Sequence, residues 1–289
     1  MKILIAGGSG FIGSALAKQL SKKEYKLFLL TRDNNLKKPK YYDQVIIWNE
    51  LYKCHNDFDV VINLCGYNIS DKKWSKKVRN KILDSRIIPT EELIKFIKNS
   101  KTKLINASAI GFYPFSKEQQ TEDKIVSKDT SNTGFSQEIT HKWEACIKTS
   151  NLKNWCITRF GVVMGNGGFL GKIKPIIVKG LGATFGKGDN LITWVHITDL
   201  CNAIDFIIKN DVKGCCNITA SADTQKQIME KIATSLDKKI RFKFPAWFVK
   251  LLFGQMGKEM LLSSNNIYPQ RLTKLGFEFK YTDFDQISI

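Results

Sequence analysis

Short apolar runs alternate with segments of helical spacing along the first two-thirds of the chain. The run "KILIA" at 2–6 shows no apolar–polar alternation, which is typical of a parallel strand buried on both faces. The segment 14–23, "SALAKQLSKK", then carries apolar residues at helical spacing. Further strands are predicted over 26–32, 57–66 and 101–111, the last two separated by a basic helical stretch. This β-α-β-α order predicts an α/β fold with a doubly wound parallel sheet.

A glycine loop joins the first strand to the first helix. In "GGSGFIG", Gly7 permits a tight turn, Gly10 lets a pyrophosphate approach the backbone, and Gly13 lets helix and strand pack closely. The helix N-terminus offers free N–H groups to phosphates. Strand, loop and helix in this order predict a Rossmann-type dinucleotide site. Its expected contacts here are Gly7, Ser9, Gly10, Phe11, Ile12 and Gly13.

The end of the second strand bears on which dinucleotide is bound. An NAD site usually places an acidic residue here, to hold the ribose 2′-hydroxyl, whereas an arginine can pair with a 2′-phosphate. This strand ends in Thr31-Arg32, with Asp33 directly after it. The alternative interpretation of Arg32 is a surface cation at a strand end. We predict NADP(H) as the cofactor in preference to NAD.

Two further strands contribute candidate residues. Leu64-Cys65-Gly66, at the end of the strand 57–66, is expected to run beneath the cofactor, and the strand 101–111 ends on Ser108. Pro89 lies in the helical stretch between them. Because proline inside a helix removes a backbone hydrogen bond, we expect this stretch to form two helices.

Glycine-rich loops follow the next predicted strand, 154–165. The loops 165–172 and 180–190 lack the Gly-Lys-Ser/Thr ending of a P-loop, so we interpret them as flexible lids over a cleft. After about residue 215 the pattern changes to short helices. The predicted domains are therefore a nucleotide-binding domain over 1–214, with substrate-side loops within 165–195, and a small C-terminal substrate-side domain over 215–289.

The formal net charge of +18 does not change this picture. The 45 basic residues are spread from Lys2 to Lys280, whereas a nucleic-acid-binding protein gathers them on one face among aromatic residues. We expect solvated helix faces and no nucleic-acid partner. The alternative is a basic cleft that attracts a small ligand carrying phosphate.

Cysteine usage and hydropathy indicate the compartment. The seven cysteines show no Cys-x-x-Cys spacing, so we predict reduced thiols and no metal. The chain start lacks the features of a signal peptide. The most apolar later run, 244–254, is broken by Lys250 and is too short to span a bilayer. These features predict a cytoplasmic protein without a membrane partner.

Several motifs together resemble a known family. "GGSGFIG", "VINLCG", "NASAIGFY" and "WVHITDL" look like the extended short-chain dehydrogenase/reductase superfamily. "HKWE", "TRFGVVMGNGGFL" and "LLSSNNIYPQRLTKLGFEF" resemble its atypical NAD(P)-dependent epimerase/dehydratase-like family, whose members carry a small C-terminal domain of unknown function. The similarity covers essentially the whole chain.

The resemblance implies a set of cofactor contacts. In that family NADPH is bound by the glycine loop, by the positions of Thr31-Arg32 and of the Leu64-Cys65-Gly66 turn, and by Arg86. Cys65 departs from the usual alanine, a small change that should preserve the backbone. Val163 falls on the turn near the nicotinamide. The alternative for Arg86 is a cation on a helix surface.

The stretch 113–117, "YPFSK", has the spacing of the catalytic Tyr-x-x-x-Lys pair of active relatives. In those relatives both residues lie on one helix and face the nicotinamide, and the lysine lowers the pKa of the phenol. Tyr113 comes only five residues after Ser108, and Pro114 follows it. We therefore interpret this stretch as a loop in which Lys117 has no helical reason to lie beside Tyr113.

The helix predicted over 133–150 is the one that should carry the pair. Aligning Glu144 with the glutamate that closes the superfamily motif places Ser136 at the tyrosine position and Thr140 at the lysine position. A serine hydroxyl is far too weak an acid for this chemistry, and threonine carries no charge. The standard proton relay is predicted to be absent.

Four residues remain as candidates near the nicotinamide or the substrate. Ser108 matches the serine that hydrogen-bonds a substrate oxygen; alternatively, it caps a strand end. Tyr113 is a candidate substitute acid; alternatively, it is an aromatic residue that covers the cleft. Lys142 is a candidate residue near the nicotinamide; alternatively, it is only exposed to solvent. His196 is a candidate substrate contact; alternatively, Asp199 caps the following helix with His196 packed beside it. The predicted catalytic residues are Ser108 and Tyr113, and Ser108 is also a predicted cofactor contact.

Three functions follow as hypotheses. The first is an NADP(H)-dependent oxidoreductase or epimerase acting on a small carbonyl or sugar-like substrate, as a monomer or homodimer. The second is a non-catalytic protein that senses NADPH or regulates a partner. The third, nucleic-acid binding, has only the charge in its favour.

Overall fold

The computed structural model describes residues 1–54, 57–124 and 134–289. Its strands are β1 (Lys2–Ala6), β2 (Lys26–Thr31), β3 (Gln44–Ile47), β4 (Val60–Asn63), β5 (Lys103–Ala109), β6 (Trp155–Phe160), β7 (Val162–Met164), β8 (Ala183–Phe185), β9 (Leu191–His196), β10 (Gly214–Ile218), β11 (Ser221–Thr224) and β12 (Phe242–Phe244). Its α-helices are α1 (Phe11–Leu20), α2 (Lys76–Ile97), α3 (Phe135–Lys148), α4 (Gly168–Val178), α5 (Ile197–Lys209), α6 (Gln225–Ser235), α7 (Ala246–Gly257) and α8 (Gln270–Lys274). Of the helix predicted over 133–150, Thr133 lies outside the described residues.

A seven-stranded parallel sheet forms the centre of the molecule. Its order is β10-β6-β5-β4-β1-β2-β3, and every neighbouring pair is parallel. The chain runs outward from β1 to β3 and then in the other direction from β4, so the order reverses between β1 and β4. The predicted Rossmann-type, doubly wound α/β fold is confirmed.

Helices cover both faces of this sheet. In β1, Ile3 and Ile5 belong to one apolar cluster with residues of α1 and α5, whereas Leu4 and Ala6 belong to a second cluster with residues of α2 and α3. All four side chains are buried. An unbroken apolar run is therefore the pattern that this strand requires, because neither of its faces meets water.

The expected break at Pro89 is wrong, because α2 is one helix of 22 residues. Proline removes only one backbone bond, the one that residue 89 would donate to the carbonyl of Ser85. Both halves of the helix are fixed independently of that bond. The Ser75 hydroxyl caps the N-terminus, and Leu93 and Ile97 are fully buried near the C-terminus.

The segments interpreted as lids contain regular structure. The loop 165–172 leads into α4, which begins at Gly168, and the loop 180–190 contains β8, which pairs with β12. β7, β9 and β11 form a separate three-stranded sheet. Both segments are therefore not loops throughout, and their role as lids over a cleft stays a prediction.

The C-terminal part of the chain packs on the central sheet. The predicted domain boundary at 214/215 falls at the start of β10, which is an edge strand of the central sheet. Leu272 and Phe277 join the same apolar cluster as β1 and α5. The last seventy or so residues thus complete the core of the main domain as well as forming structure of their own.

Candidate functional site

A cleft of about 1420 Å³ opens at the C-terminal ends of the central strands, where the strand order reverses. In doubly wound sheets this is the usual position of a ligand site. One wall consists of the strand ends, and α2 supplies the opposite wall with Lys77 and Lys81. The predicted cofactor contacts that line the cleft are Gly7, Ser9, Gly10, Thr31, Arg32, Leu64, Cys65 and Gly66.

The glycine loop has the close backbone contacts that only glycine allows. Gly7 has a φ of +75°, and a Cβ on it would lie 2.8 Å from the carbonyl carbon of Leu64. A Cβ on Gly13 would lie 2.5 Å from the Cα of Gly8. The buried Tyr42 hydroxyl donates to the Gly8 carbonyl oxygen at 2.9 Å, which fixes the loop from outside. The loop therefore presents an ordered backbone at the N-terminus of α1.

Arg32 lies on the cleft wall with its side chain exposed. Within the described residues it forms no salt bridge. Asp33 turns back on its own loop, because its carboxylate accepts the Asn35 N–H at 2.9 Å. The guanidinium is thus free to meet an anion, while the adjacent carboxylate already has a partner.

Arg86 supports the Leu64-Cys65-Gly66 turn from behind. Its Nη1 donates to the carbonyl oxygens of Tyr67 at 3.1 Å and Ile82 at 2.9 Å, and a Cβ on Gly66 would lie 3.2 Å from its Cζ. Burial lowers the pKa of Arg86 to about 10. The side chain is not part of the described cleft lining, and its internal bonds do not fit the alternative of a surface cation.

The remaining predicted contacts are not part of the described cleft lining. Ile12 and Val163 pack on the same apolar cluster as β1. The Phe11 ring packs on the backbone at the start of α4, where a Cβ on Gly167 would lie 2.5 Å from the ring. Burial raises the pKa of the Cys65 thiol to about 12, so this thiol stays protonated near neutral pH.

Ser108 and Tyr113 belong to a buried polar network. The Ser108 hydroxyl donates to Glu144 at 2.8 Å, and the Tyr113 hydroxyl donates to Asn217 at 2.8 Å. Arg159 joins the two, because it makes two 2.8 Å bonds to Glu144 and a third to the Tyr113 oxygen. Tyr113 is fully buried, so its interpretation as an aromatic cover of the cleft is wrong.

Neither residue belongs to the described cleft lining. Burial, partly offset by Arg159, raises the pKa of Tyr113 to about 12, which makes it a poorer acid than free tyrosine. The catalytic roles of Ser108 and Tyr113 stay predictions, and this geometry assigns both hydroxyls structural partners.

The loop interpretation of residues 113–117 is confirmed. Tyr113 follows a short 3₁₀ turn, and no helix joins it to Lys117. Lys117 instead forms an exposed ion pair with Asp189 at 2.8 Å. Tyr113 and Lys117 therefore do not lie on one helix, and the absence of a catalytic pair at "YPFSK" stays a prediction.

On α3, the residues at the tyrosine and lysine positions have internal partners. The Ser136 hydroxyl donates to Glu259 at 2.5 Å, and the Thr140 hydroxyl donates to the Ser136 carbonyl oxygen at 3.0 Å. Lys142 points away from them into an exposed ion pair with Glu138.

Glu259 is a residue that sequence reasoning missed. It comes from the short π-helical segment Lys258–Leu262, yet its buried carboxylate accepts the backbone N–H groups of Phe135 at 2.8 Å and Ser136 at 2.9 Å. It thereby caps α3 from 123 residues away. No local pattern signals such a cap, because capping residues are ordinarily neighbours in sequence.

The helix cap expected from Asp199 is provided by His196 instead, and the substrate contact of His196 stays a prediction. His196 is the N-cap residue of α5, with Nδ1 accepting the Thr198 N–H at 3.3 Å, and its ring lies 3.9 Å from that of Tyr281. Asp199 is buried in the first turn and accepts the Tyr281 N–H at 2.8 Å. Burial lowers the pKa of His196. His196 faces a second cavity of about 420 Å³, apart from the main cleft.

All seven cysteines are free thiols. Across 1–54, 57–124 and 134–289, no group of three or more His, Cys, Asp or Glu side chains is placed to hold a metal ion.

Comparison with known proteins identifies the family. The profile of the NAD dependent epimerase/dehydratase family matches residues 3–218, and that of a domain of unknown function (DUF1731) matches residues 244–287. The chain belongs to the NAD dependent epimerase/dehydratase family. An epimerase family protein of Mycobacterium bovis is 30% identical over 96% of this chain and 93% of its own length. One from Staphylococcus aureus is 30% identical over 97% and 95%.

Solved structures of similar proteins agree with this membership. The human epimerase family protein SDR39U1, solved with NADPH, has a TM-score of 0.87 and 25% identity over 99% of this chain and 97% of its own. The dTDP-glucose 4,6-dehydratase of Bacillus anthracis, solved with NAD, has a TM-score of 0.71 and 22% identity over 99% and 93%. This family member is thus similar in fold to proteins solved with either nicotinamide dinucleotide.

Proposed function

We propose that the chain binds NADP(H) and acts as an oxidoreductase or epimerase on a small carbonyl or sugar-like substrate. The observation that carries the cofactor preference is Arg32, unpaired within the described residues on the cleft wall, beside an Asp33 carboxylate that is bonded to its own turn. A free guanidinium suits a 2′-phosphate, whereas a ribose 2′-hydroxyl would need a free carboxylate.

The cleft also fits the rest of a dinucleotide. Backbone N–H groups at the start of α1 suit a diphosphate, and Gly7 lets the backbone pass within contact of the Leu64 turn. On the opposite wall, Lys81 lies with its Nζ 4.2 Å from the centre of the Tyr67 ring and adds positive charge. When bound, the dinucleotide would supply hydride transfer through its nicotinamide. The residues named here would hold the diphosphate part of the same molecule.

A second function, NADPH sensing without turnover, has one observation in its favour. Ser136 and Thr140 occupy the positions of the usual proton-handling residues, and both hydroxyls donate to internal acceptors. A panel of carbonyls and sugar nucleotides, followed by NADPH absorbance, separates the two functions. Consumption of NADPH with one substrate supports the enzyme, and tight binding without consumption across the panel supports the sensor.

Arg32→Ala tests the cofactor preference. We expect NADPH affinity to fall about tenfold or more, because a charge-assisted contact to the 2′-phosphate is lost, and NADH affinity to change little. Titration calorimetry with both coenzymes measures this difference. Lys38→Ala is the matched control, since it removes one exposed positive charge from the same loop but outside the cleft lining. An equal loss for NADPH and NADH in Arg32→Ala would refute the proposed role.

A further inference from the structure

Two segments of the C-terminal half concentrate large apolar side chains on the surface. Trp247 is 66% exposed and Leu251 is 74% exposed, one helical turn apart on α7. We call the surface they belong to the α7 face; its exposed apolar members are Val178, Leu181, Phe242, Trp247, Leu251 and Leu252. Soluble monomers rarely leave such a group uncovered when it is contiguous.

The α7 face is contiguous because β8 and β12 pair side by side and bring the two segments together. From β12, a series of aromatic rings leads to the helix. Phe244 lies 6.3 Å from Phe242 and 5.5 Å from Phe248, and Phe248 lies 5.7 Å from Trp247, measured between ring centres. Residues 178–181 reach this series through Gly182, whose carbonyl oxygen accepts the Phe242 N–H at 3.3 Å.

Apart from Lys250 and Gln255, every residue of α7 is apolar or glycine. Val249 is buried against the protein, yet Trp247 and Leu251 on the opposite side are equally apolar. A helix with so few polar residues is normally covered over most of its surface. The exposed side of α7 therefore has the composition expected of a surface that contacts an apolar phase.

Positive charge surrounds this apolar centre. Residues 238–258 contain six Lys and Arg and no Asp or Glu, and residues 172–188 contain four Lys and no Asp or Glu. Lys243 and Lys250 flank the exposed rings and are themselves exposed. Of the acidic residues next to these segments, Asp189 is paired with Lys117.

We propose that the α7 face docks on the surface of a lipid bilayer that carries anionic headgroups. Aromatic and aliphatic side chains at the centre with lysines at the rim are the pattern of interfacial binding, in which the apolar part enters the headgroup boundary and the cations meet lipid phosphates. None of the helices in the described part of the chain is long and apolar enough to cross a membrane. The docking needs no such helix, so it is compatible with the sequence argument that 244–254 cannot span a bilayer. It departs from the prediction that the chain has no membrane partner.

A second copy of the chain is the less suitable occupant. A symmetric dimer through this face would bring two lysine rims together, and like charges across an interface oppose association. Lysine is also depleted in the centres of protein interfaces. An anionic bilayer instead satisfies the apolar centre and the cationic rim at once.

Vesicle sedimentation with the purified full-length chain tests the proposal. We expect it to sediment with phosphatidylcholine vesicles containing about one-third phosphatidylglycerol, and about tenfold less with phosphatidylcholine alone. Trp247→Ser combined with Leu251→Gln should lower binding to the anionic vesicles about tenfold or more. Leu275→Gln is the matched control, since Leu275 is 50% exposed but outside the α7 face, and it should bind like the unaltered chain. Lys243→Gln should lower binding about fivefold.

Three results would overturn the proposal. The first is no sedimentation with anionic vesicles. The second is equal sedimentation of the Trp247/Leu251 double variant, which would mean that charge alone attracts the chain. The third is dimerisation in sedimentation velocity that the double variant abolishes, since a second copy would then cover the face. Circular dichroism and thermal unfolding of the same samples show that each variant is folded, so the vesicle result stands whether or not the coenzyme binds.

Discussion

At the scale of single residues, Glu144 has the most consequential environment. Burial alone would raise the pKa of its carboxyl, but the two bonds and the charge of Arg159, with help from Lys148, hold that pKa below the ordinary value of 4.5. In the unfolded chain Glu144 titrates at its ordinary value. The pair therefore stabilises the fold fully above that value, and its contribution is lost as pH falls through the lower folded pKa.

Glu144→Gln tests this linkage. At pH 7 we expect the free energy of unfolding to fall by about 3–5 kcal/mol, because Arg159 stays buried without its partner. Between about pH 5 and pH 3, the unaltered chain should lose stability more steeply than the variant. Urea unfolding across that range measures both effects. Glu138→Gln, in the exposed pair with Lys142, should cost about 0.5 kcal/mol or less. Parallel pH profiles for Glu144→Gln and the unaltered chain would contradict the linkage.

Tyr113→Phe separates a structural from a catalytic role for this residue. It removes the hydroxyl between Arg159 and Asn217, so we expect a loss of about 1–3 kcal/mol in urea unfolding. NADPH affinity should stay unchanged, because the ring is enclosed away from the cleft. A variant of normal stability with weakened coenzyme binding would instead place the phenol at the nicotinamide.

At the scale of elements, the cap that Glu259 provides connects the start of α3 to the segment after α7. Glu259→Ala should lower the free energy of unfolding by about 1–3 kcal/mol, because two backbone N–H groups and the Ser136 hydroxyl lose their acceptor. Thermal unfolding measures the loss. Glu230→Ala is the control, because Glu230 is exposed and its ion pair with Lys226 is long, with 3.8 Å between the charged atoms. Equal small effects in both variants would show that water replaces the cap.

Sequence reasoning succeeded where a local pattern determines the structure. The unbroken apolar run of β1 and the Gly7 and Gly13 contacts follow from backbone geometry and burial, and the cleft forms where that pattern placed it. Sequence reasoning failed where residues far apart in the chain determine the structure. Pro89 does not break α2, because tertiary contacts hold both halves of the helix. The partners of Ser108 and Tyr113 come from 36 and 104 residues away, and no spacing rule indicates them.

At the scale of the whole molecule, the C-terminal part is bound into the main fold. Ser116 donates its N–H to the Ser264 carbonyl oxygen at 2.9 Å, and the Thr193 hydroxyl donates to the Asn265 carbonyl oxygen at 2.6 Å. The buried Leu272 belongs to the central apolar cluster. The small C-terminal unit is thus a structural partner of the main fold.

A chain ending at residue 218 should therefore not fold cooperatively. It keeps all seven central strands but loses Leu272, Phe277 and the hydrogen bonds to β9, which exposes part of the core to water. Differential scanning calorimetry on the shortened chain measures the transition. We expect no sharp transition, and a cooperative peak close to that of the full chain would show that the two parts are independent domains.

The hydrogen bond from Tyr42 to the Gly8 carbonyl has a consequence for how tightly a nucleotide is bound. Because this phenol secures the glycine loop during folding, the loss of backbone freedom occurs before any ligand arrives. A phosphate that enters then meets a rigid receptor, so little of the contact free energy is consumed in ordering it. We therefore expect a diphosphate to bind to a preorganised loop, without a disorder-to-order change of the loop on binding.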